Sequence, residues 1–248
     1  MKRKLNENKI AFSEIGGIYI GKDLQTDFHK HYAVMIVFSL DKPFKLACEN
    51  QTKSFDACII QPNVIRKFIS DKNSEIAFVY IEPYTELGLK LLDLQKGIIP
   101  LNSADFKPFL ETLQTWQNKT GNEESFTTNF LNKLVNQIIF IEKIMPSSLD
   151  DRILKGIKEV NQDGTKNQKQ IAGSVGLSVS RFAFLFKKST GITFKQYVLH
   201  TKLVKSVKSI LFEDNLTQVA HQGGFADQAH FTRTYLKTFG ILPSRSVK

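Results

Sequence analysis

The stretch IAGSVGLSVSRFAFLFKKSTG (Ile171–Gly191) has a near-copy further along the chain, VAHQGGFADQAHFTRTYLKTFG (Val219–Gly240). Superposed, Ile171–Ala172 fall on Val219–Ala220, Gly176 on Gly224 and Leu177 on Phe225. After one inserted residue the match resumes, with Phe182 on Phe231, Phe186 on Tyr235 and Gly191 on Gly240. A unit repeated at this length is one supersecondary element used twice.

Each copy predicts a helix, a sharp turn and a second helix. A small residue (Ala172, Ala220) sits where two helices can cross closely. Four residues on, a glycine can take the left-handed conformation that ends the first helix. Ser178 and Asp227 are cap-type residues opening the second helix. In the first copy Phe182, Leu185 and Phe186 share one face at helical spacing and should meet the core. Ser180, Phe184 and Lys187 then point outward, with Ala183 at the margin. In the second copy Phe231 and Tyr235 point inward, Ala229, Thr232, Arg233 and Leu236 outward, and Gln228 lies on the first turn. This is the geometry of a helix-turn-helix, whose second helix offers its outer face to a major groove. A helical bundle with a purely architectural repeat is the plainer alternative.

From about Asp150 the chain resembles the DNA-binding domain of AraC-type transcriptional regulators. The resemblance rests on GF-x-D-Q-x-x-F-T-R in the second copy, FKK-x-x-G after the first, and G-x-x-P near the end. It implies two helix-turn-helix units, about 168–188 and 216–238, joined by one long helix and reading successive major grooves of promoter DNA. Carried over by position, it makes Gln228, Ala229, Thr232 and Arg233 the base-reading set of the second unit. Arg233 suits guanine and Gln228 suits adenine. Lys187, Lys188 and Lys237 would reach phosphates, which position a protein without reading sequence. In the first unit Ser180, Ala183 and Phe184 face the groove, with Arg181 at the side of the helix. Family members often carry arginine near the place of Phe184, so base reading by this unit departs from the pattern. Ser206 is a second departure, standing where the family favours alanine in the connecting helix.

Charge agrees with a polyanionic partner for this half. The chain carries a net +10. From Ser147 to Lys248 there are 16 Lys and Arg against 7 Asp and Glu, so nearly all the excess lies in the repeat-bearing part. Such an asymmetry steers DNA to one half by long-range attraction and counterion release.

The first hundred residues have another character. IGGIYIG, AVMIVFSL, DACIIQP and EIAFVYIEP are short β-branched and aromatic runs separated by DKP, ENQTKS, QPN and SDKNS. They predict a β-rich sandwich or barrel. The part is similar to the cupin-like sensor that often precedes an AraC-type tail. In cupins a pair like His29-x-His31 supplies two metal ligands, but no carboxylate follows within YAVMIV, Arg66 stands where a later ligand is needed, and the remaining histidines lie in the other half. Two histidines alone rarely hold a catalytic metal. No metal or cofactor is therefore expected. His29 and His31 are then surface or pocket-rim groups, or line an effector pocket with Phe38, Phe68 and Tyr80. Those aromatics serve equally as plain core.

Beyond Pro83 the period becomes helical. Leu87, Leu91 and Leu94 mark one helix, and Phe130, Leu131, Leu134, Ile138 and Ile141 a second with a wide apolar face, suited to packing on its own barrel and on a partner subunit or to core alone. NKTGNEES (Asn118–Ser125) reads as an exposed turn and PSSLDD (Pro146–Asp151) as a linker with cap residues. A first helix of the tail follows through Ile153, Leu154, Ile157 and Val160, and the connecting helix shows Tyr197, Leu203, Val207, Ile210 and Leu211 on one face.

Composition, 42% apolar and 23% charged, is that of a soluble globular protein. MKRKLNENKIAF lacks the apolar centre of a secretory signal. Cys48 and Cys58 are too few for a disulfide framework and are expected to stay reduced as small buried residues, with a redox switch as the alternative. The expected protein is an α+β chain: residues 1–145 a cupin-like sensor and dimerisation domain with C-terminal helices, residues 146–248 an all-α DNA-binding domain. It is expected to be a cytoplasmic, homodimeric transcriptional activator answering to a small-molecule effector, with RNA polymerase a further partner. It is not expected to be an enzyme. A cupin-type metalloenzyme fused to a DNA-binding tail, or an effector-free DNA-binding interaction protein, is the alternative.

Overall fold

The computed structural model of the protein describes residues 9–49, 51–118, 123–143, 149–210, 212–213 and 215–246. Its contacts divide the chain into two units: Met1–Pro146 with Tyr235–Lys248, and Ser147–Thr234. No helix among the described residues is long and apolar enough to cross a membrane.

The first unit begins with eight strands: β1 (Lys9–Phe12), β2 (Gly16–Lys22), β3 (Val34–Ser39), β4 (Phe44–Cys48), β5 (Gln51–Phe55), β6 (Ala57–Ile60), β7 (Lys67–Ile69) and β8 (Glu75–Ile81). Helix α1 (Glu86–Leu92), strand β9 (Ile98–Pro100) and helices α2 (Lys107–Gln117) and α3 (Glu123–Glu142) follow. The strands form two open sheets, β1-β2-β8-β3-β6-β9 and β5-β4-β7. Isolated bridges add Gln25 to Ile69, at the end of β7, and join His29 to Arg66.

The large sheet is buried on both faces, which is why AVMIVFSL and EIAFVYIEP read as continuous apolar runs. Alternate residues separate into two cores. Val34, Ile36 and Phe38 of β3 join Ile59, Ala77 and Val79 against the helices. Met35 and Val37 join Cys58, Ile76 and Phe78 against Phe44, Leu46 and Phe68 of the small sheet. The polar run expected to be a turn, ENQTKS, instead supplies β5: Gln51–Ser54 are exposed along an edge strand paired with β4.

On the helical side Leu87 and Leu91 of α1 are buried, with Leu94 just past its end. Along α3, Phe130, Leu131, Leu134, Val135 and Ile138 are buried, Ile141 is only half-buried, and Phe140 is 79% exposed. Of the turn expected over Asn118–Ser125, residues 119–122 lie outside the described residues, and α3 already starts at Glu123. There the Glu123 carboxylate accepts from Trp116 Nε1 at 2.5 Å and pairs with Lys9 at 3.3 Å. Of the expected linker, residues 146–148 lie outside the described residues.

The second unit contains α4 (Asp151–Gln162), α5 (Gln168–Ser174), α6 (Val179–Thr190), α7 (Phe194–Ser209), α8 (Leu216–Gln222) and the start of α9 (Gln228–Phe239). Ile153, Ile157 and Val160 of α4 are buried and Leu154 is half-buried. On α7 the buried stripe is Phe194, Tyr197, His200, Leu203 and Ser206, followed by Ile210. Val207, expected inward, is half-buried, and Leu211 lies outside the described residues. The last turn of α9 and α10 (Pro243–Ser246) are grouped with the first unit: Asp27 N donates to Gly240 O at 2.8 Å, and the Phe239 ring meets His31 at 5.1 Å and Tyr80 at 6.3 Å.

Candidate nucleic-acid interface

Both repeats fold as helix-turn-helix units for the local reasons visible in their residues. In the first, Asn167 and Gln170 form a capping box at the start of α5. Gly176 has φ +69° at the turn, and Ser178 Oγ accepts from Arg181 N to open α6. Gly191, also left-handed, closes α6. In the second, Asn215 caps α8, Gly224 has φ +85°, and Asp227 Oδ1 accepts from His230 N at 2.6 Å. The inner faces are aromatic. Phe182 lies 5.6 Å from Phe186 and 5.5 Å from Phe194, and Phe186 lies 5.6 Å from Tyr197. Tyr197 Oη donates to Asn161 Oδ1 at 2.8 Å, tying α7 to α4. Phe225 meets Phe231 at 5.6 Å in the second unit. The connector α7 has 16 residues, about 24 Å of stiff helix.

With those aromatics inward, the outer faces of α6 and α9 are left to solvent. On α6 Val179, Ser180, Arg181, Phe184, Lys187 and Lys188 are exposed and Ala183 is half-buried. Phe184, 57% exposed, stands at the centre, and the Arg181 guanidinium lies 5.6 Å from its ring centroid. On α9 Gln228, Ala229, Arg233, Leu236 and Lys237 are exposed and Thr232 is half-buried. Gln228 Oε1 accepts from Thr217 Oγ1 at 2.8 Å, so the side chain is held against α8. Arg181, Lys187, Lys188, Arg233 and Lys237 form no ion pair with a carboxylate among the described residues. Their charge is therefore available to an external anion.

Residues 171–248 match the family model of a helix-turn-helix domain. Residues 171–248 are an AraC-type helix-turn-helix domain. The chain is 33% identical over 76 residues to the probable transcription factor PqrA of Proteus vulgaris, covering 30% of this chain and 62% of that protein. Over 235 residues the chain is 23% identical to the probable transcriptional regulator LumQ of Photobacterium leiognathi, covering 90% of this chain and 92% of LumQ. Its fold is similar to that of unsaturated fatty acid-bound ToxT from Vibrio cholerae strain SCE256, with 16% identity and a TM-score of 0.64 over 100% of this chain and 97% of ToxT.

Outside the AraC-type domain, the residues expected at an effector pocket are only partly brought together. His29 and His31 are buried rather than surface groups, with rings 5.1 Å apart, and His31 lies 5.4 Å from Tyr80. Phe68 belongs to the same inter-sheet core, 4.9 Å from Phe78. Phe38 does not join them: it faces the other side of its sheet and packs on Phe106 at 5.7 Å. Among the described residues no three His, Cys, Asp or Glu side chains are grouped to hold a metal ion.

Arg66 was the group whose burial the sequence did not disclose. Only 2% exposed, it donates from Nη1 to Val64 O at 3.1 Å and His29 O at 3.4 Å, and from Nη2 to the Met35 thioether at 2.6 Å. No carboxylate pairs with it among the described residues. Burial lowers its pKa to about 10. Burial first, and then the Arg66 charge, lower that of His29 to about 4. Burial pushes the Cys58 thiol well up, so it is a protonated core group.

Proposed function

We propose that the chain is a sequence-specific DNA-binding regulator of transcription, in which residues 1–145 sense a small molecule and dimerise and residues 146–248 bind promoter DNA. The observation that carries this is the pair of helix-turn-helix units whose aromatic inner faces leave the cationic outer faces of α6 and α9 uncovered. Gln228, Ala229, Thr232 and Arg233 read bases in one groove, and Ser180, Arg181, Ala183 and Phe184 face the next. Lys187, Lys188 and Lys237 contact phosphates. The LumQ and PqrA similarities support a role in transcription. In this reading the chain activates through RNA polymerase in the cytoplasm, with no catalytic step. Phe140, left exposed on α3, supports a homodimer contact there.

ToxT is described with an unsaturated fatty acid bound. In this chain a buried guanidinium with no carboxylate partner among the described residues supports the same class of effector, a carboxylic acid whose anionic head meets Arg66. An unpaired buried charge is costly, and a counter-ion removes most of that cost.

The deciding experiment is binding of the purified chain to a randomised duplex pool at two salt concentrations. Enrichment of a bipartite site, with half-elements about 10 base pairs apart, supports the reading. Affinity that only falls with salt, with no sequence enriched, refutes it.

A further inference from the structure

The outer face of α6 is built unlike that of α9. Its centre is a phenyl ring, flanked by Arg181 one turn before and by Lys187 and Lys188 one turn after. The other two phenylalanines of the helix, Phe182 and Phe186, are fully buried, so Phe184 is left out of an aromatic core lying directly behind it. A ring cannot exchange hydrogen bonds with base edges. The one apolar group that base edges present in the major groove is the C5-methyl of thymine.

Resting on the DNA-binding reading above, we propose that Phe184 is a specificity-determining residue that recognises a pyrimidine C5-methyl group, so that 5-methylcytosine can replace thymine beneath it. Arg181, whose guanidinium lies against one side of the ring, contributes charge for the neighbouring phosphate or guanine and restricts the ring's rotamers. Because the ring makes no hydrogen bond, it senses neither the O4 acceptor of thymine nor the N4 donor of cytosine, only the methyl. The first unit then distinguishes methylated from unmethylated cytosine, which hydrogen-bonding readers of cytosine N4 do not.

The test alters the DNA before it alters the protein. Starting from the duplex selected by the full-length chain, each thymine is replaced singly by deoxyuridine, and separately by cytosine and 5-methylcytosine paired with guanine. At one position within one half-element, deoxyuridine should weaken wild-type binding about fourfold, the value of one buried methyl group. There 5-methylcytosine should bind more tightly than cytosine by a similar factor. Phe184→Ala should abolish both differences, Phe184→Leu should retain them, and the other half-element should be unaffected by either. Equal binding of thymine and deoxyuridine at every position overturns the inference while leaving the DNA-binding reading intact. So does discrimination that persists in Phe184→Ala. Failure of the wild type to select any duplex overturns both.

Discussion

The hydroxyl of Ser206 occupies the space that a Cβ on Gly223 would fill, so α7 and α8 cross with a side chain of one against the backbone of the other. Ser206 is fully buried, and its Oγ has no hydrogen-bond partner among the described residues. Replacing it by alanine removes an unsatisfied polar group and relieves a tight crossing. Ser206→Ala should therefore stabilise the protein by about 1 kcal/mol. Gly223→Ala should destabilise it by roughly 1–3 kcal/mol through overpacking. Thermal denaturation of the two variants checks this, and a lower midpoint for Ser206→Ala would show that its hydroxyl is satisfied after all.

Neighbouring phenylalanines on α6 should separate stability from recognition. Phe182→Ala opens a cavity beneath the helix and should cost about 3–5 kcal/mol of stability. Phe184→Ala, on the exposed face, should change stability by no more than about 0.5 kcal/mol. Urea denaturation curves decide the matter; equal losses would mean that Phe184 is a core residue.

Arg233 and Lys237 on α9 should behave differently toward salt and sequence. Arg233→Ala should relax the preference at one base pair by about 1–3 kcal/mol. Lys237→Ala should weaken all duplexes alike and make the slope of log affinity against log salt about 0.9 shallower. Titrations of matched and mismatched duplexes at several salt concentrations distinguish these behaviours. Gln228, already bonded to Thr217, keeps only part of its carbonyl capacity for adenine, so Gln228→Ala should cost less than Arg233→Ala.

The pH dependence of stability should carry the signature of His29. Its folded pKa is lowered from 6.5 to about 4 by burial and by Arg66. Between those values the unfolded chain takes up a proton that the folded chain refuses, so stability falls as pH falls through the window and is untouched by this group above it. At the bottom of the window the loss should be on the order of 3 kcal/mol. His29→Gln should flatten the stability profile from pH 6.5 to 4. An unchanged profile would place the acid sensitivity elsewhere.

Arg66→Met should leave the unliganded protein as stable or more stable, since an apolar side chain of similar length replaces a buried charge that has no carboxylate partner among the described residues. Wild-type protein should gain thermal stability from a medium-chain fatty acid such as octanoate and much less from the matching alcohol. The variant should respond equally weakly to both. A carboxylate response surviving in Arg66→Met would remove Arg66 from the effector site.

The two helix-turn-helix repeats were the more legible part because their signals are local. Gly176 and Gly224 stand where the turns need positive φ, Ser178 and Asp227 are caps, and Phe182, Phe186, Phe231 and Tyr235 carry the helical period. The large sheet was legible for a similar reason, since both its faces are buried. β5 was not, because an exposed edge strand of Gln51, Thr52, Lys53 and Ser54 has no apolar alternation to reveal it. Nor was the separation of Phe38 from Tyr80. Both lie on strands of one sheet, and only the register that pairs Met35 with Tyr80 places Phe38 on the opposite face. Arg66 is the extreme case: nothing in QPNVIRKF tells a buried arginine from a solvated one.

Strand β8 lies between β2 and β3 in the large sheet, pairing Gly16 with Ile81 on one side and Val34 with Ile81 on the other. A chain emerging from the ribosome therefore holds β2 and β3 with no strand to join them until Ile81 is free. Over that interval two apolar strands present open edges, a template for pairing with other chains. The helical unit is assembled from neighbours in sequence and faces no such delay. Chaperone demand and aggregation during synthesis should therefore be set by the first eighty residues, and substitutions that slow the closing of β8 should reduce yield without altering DNA binding by the molecules that mature.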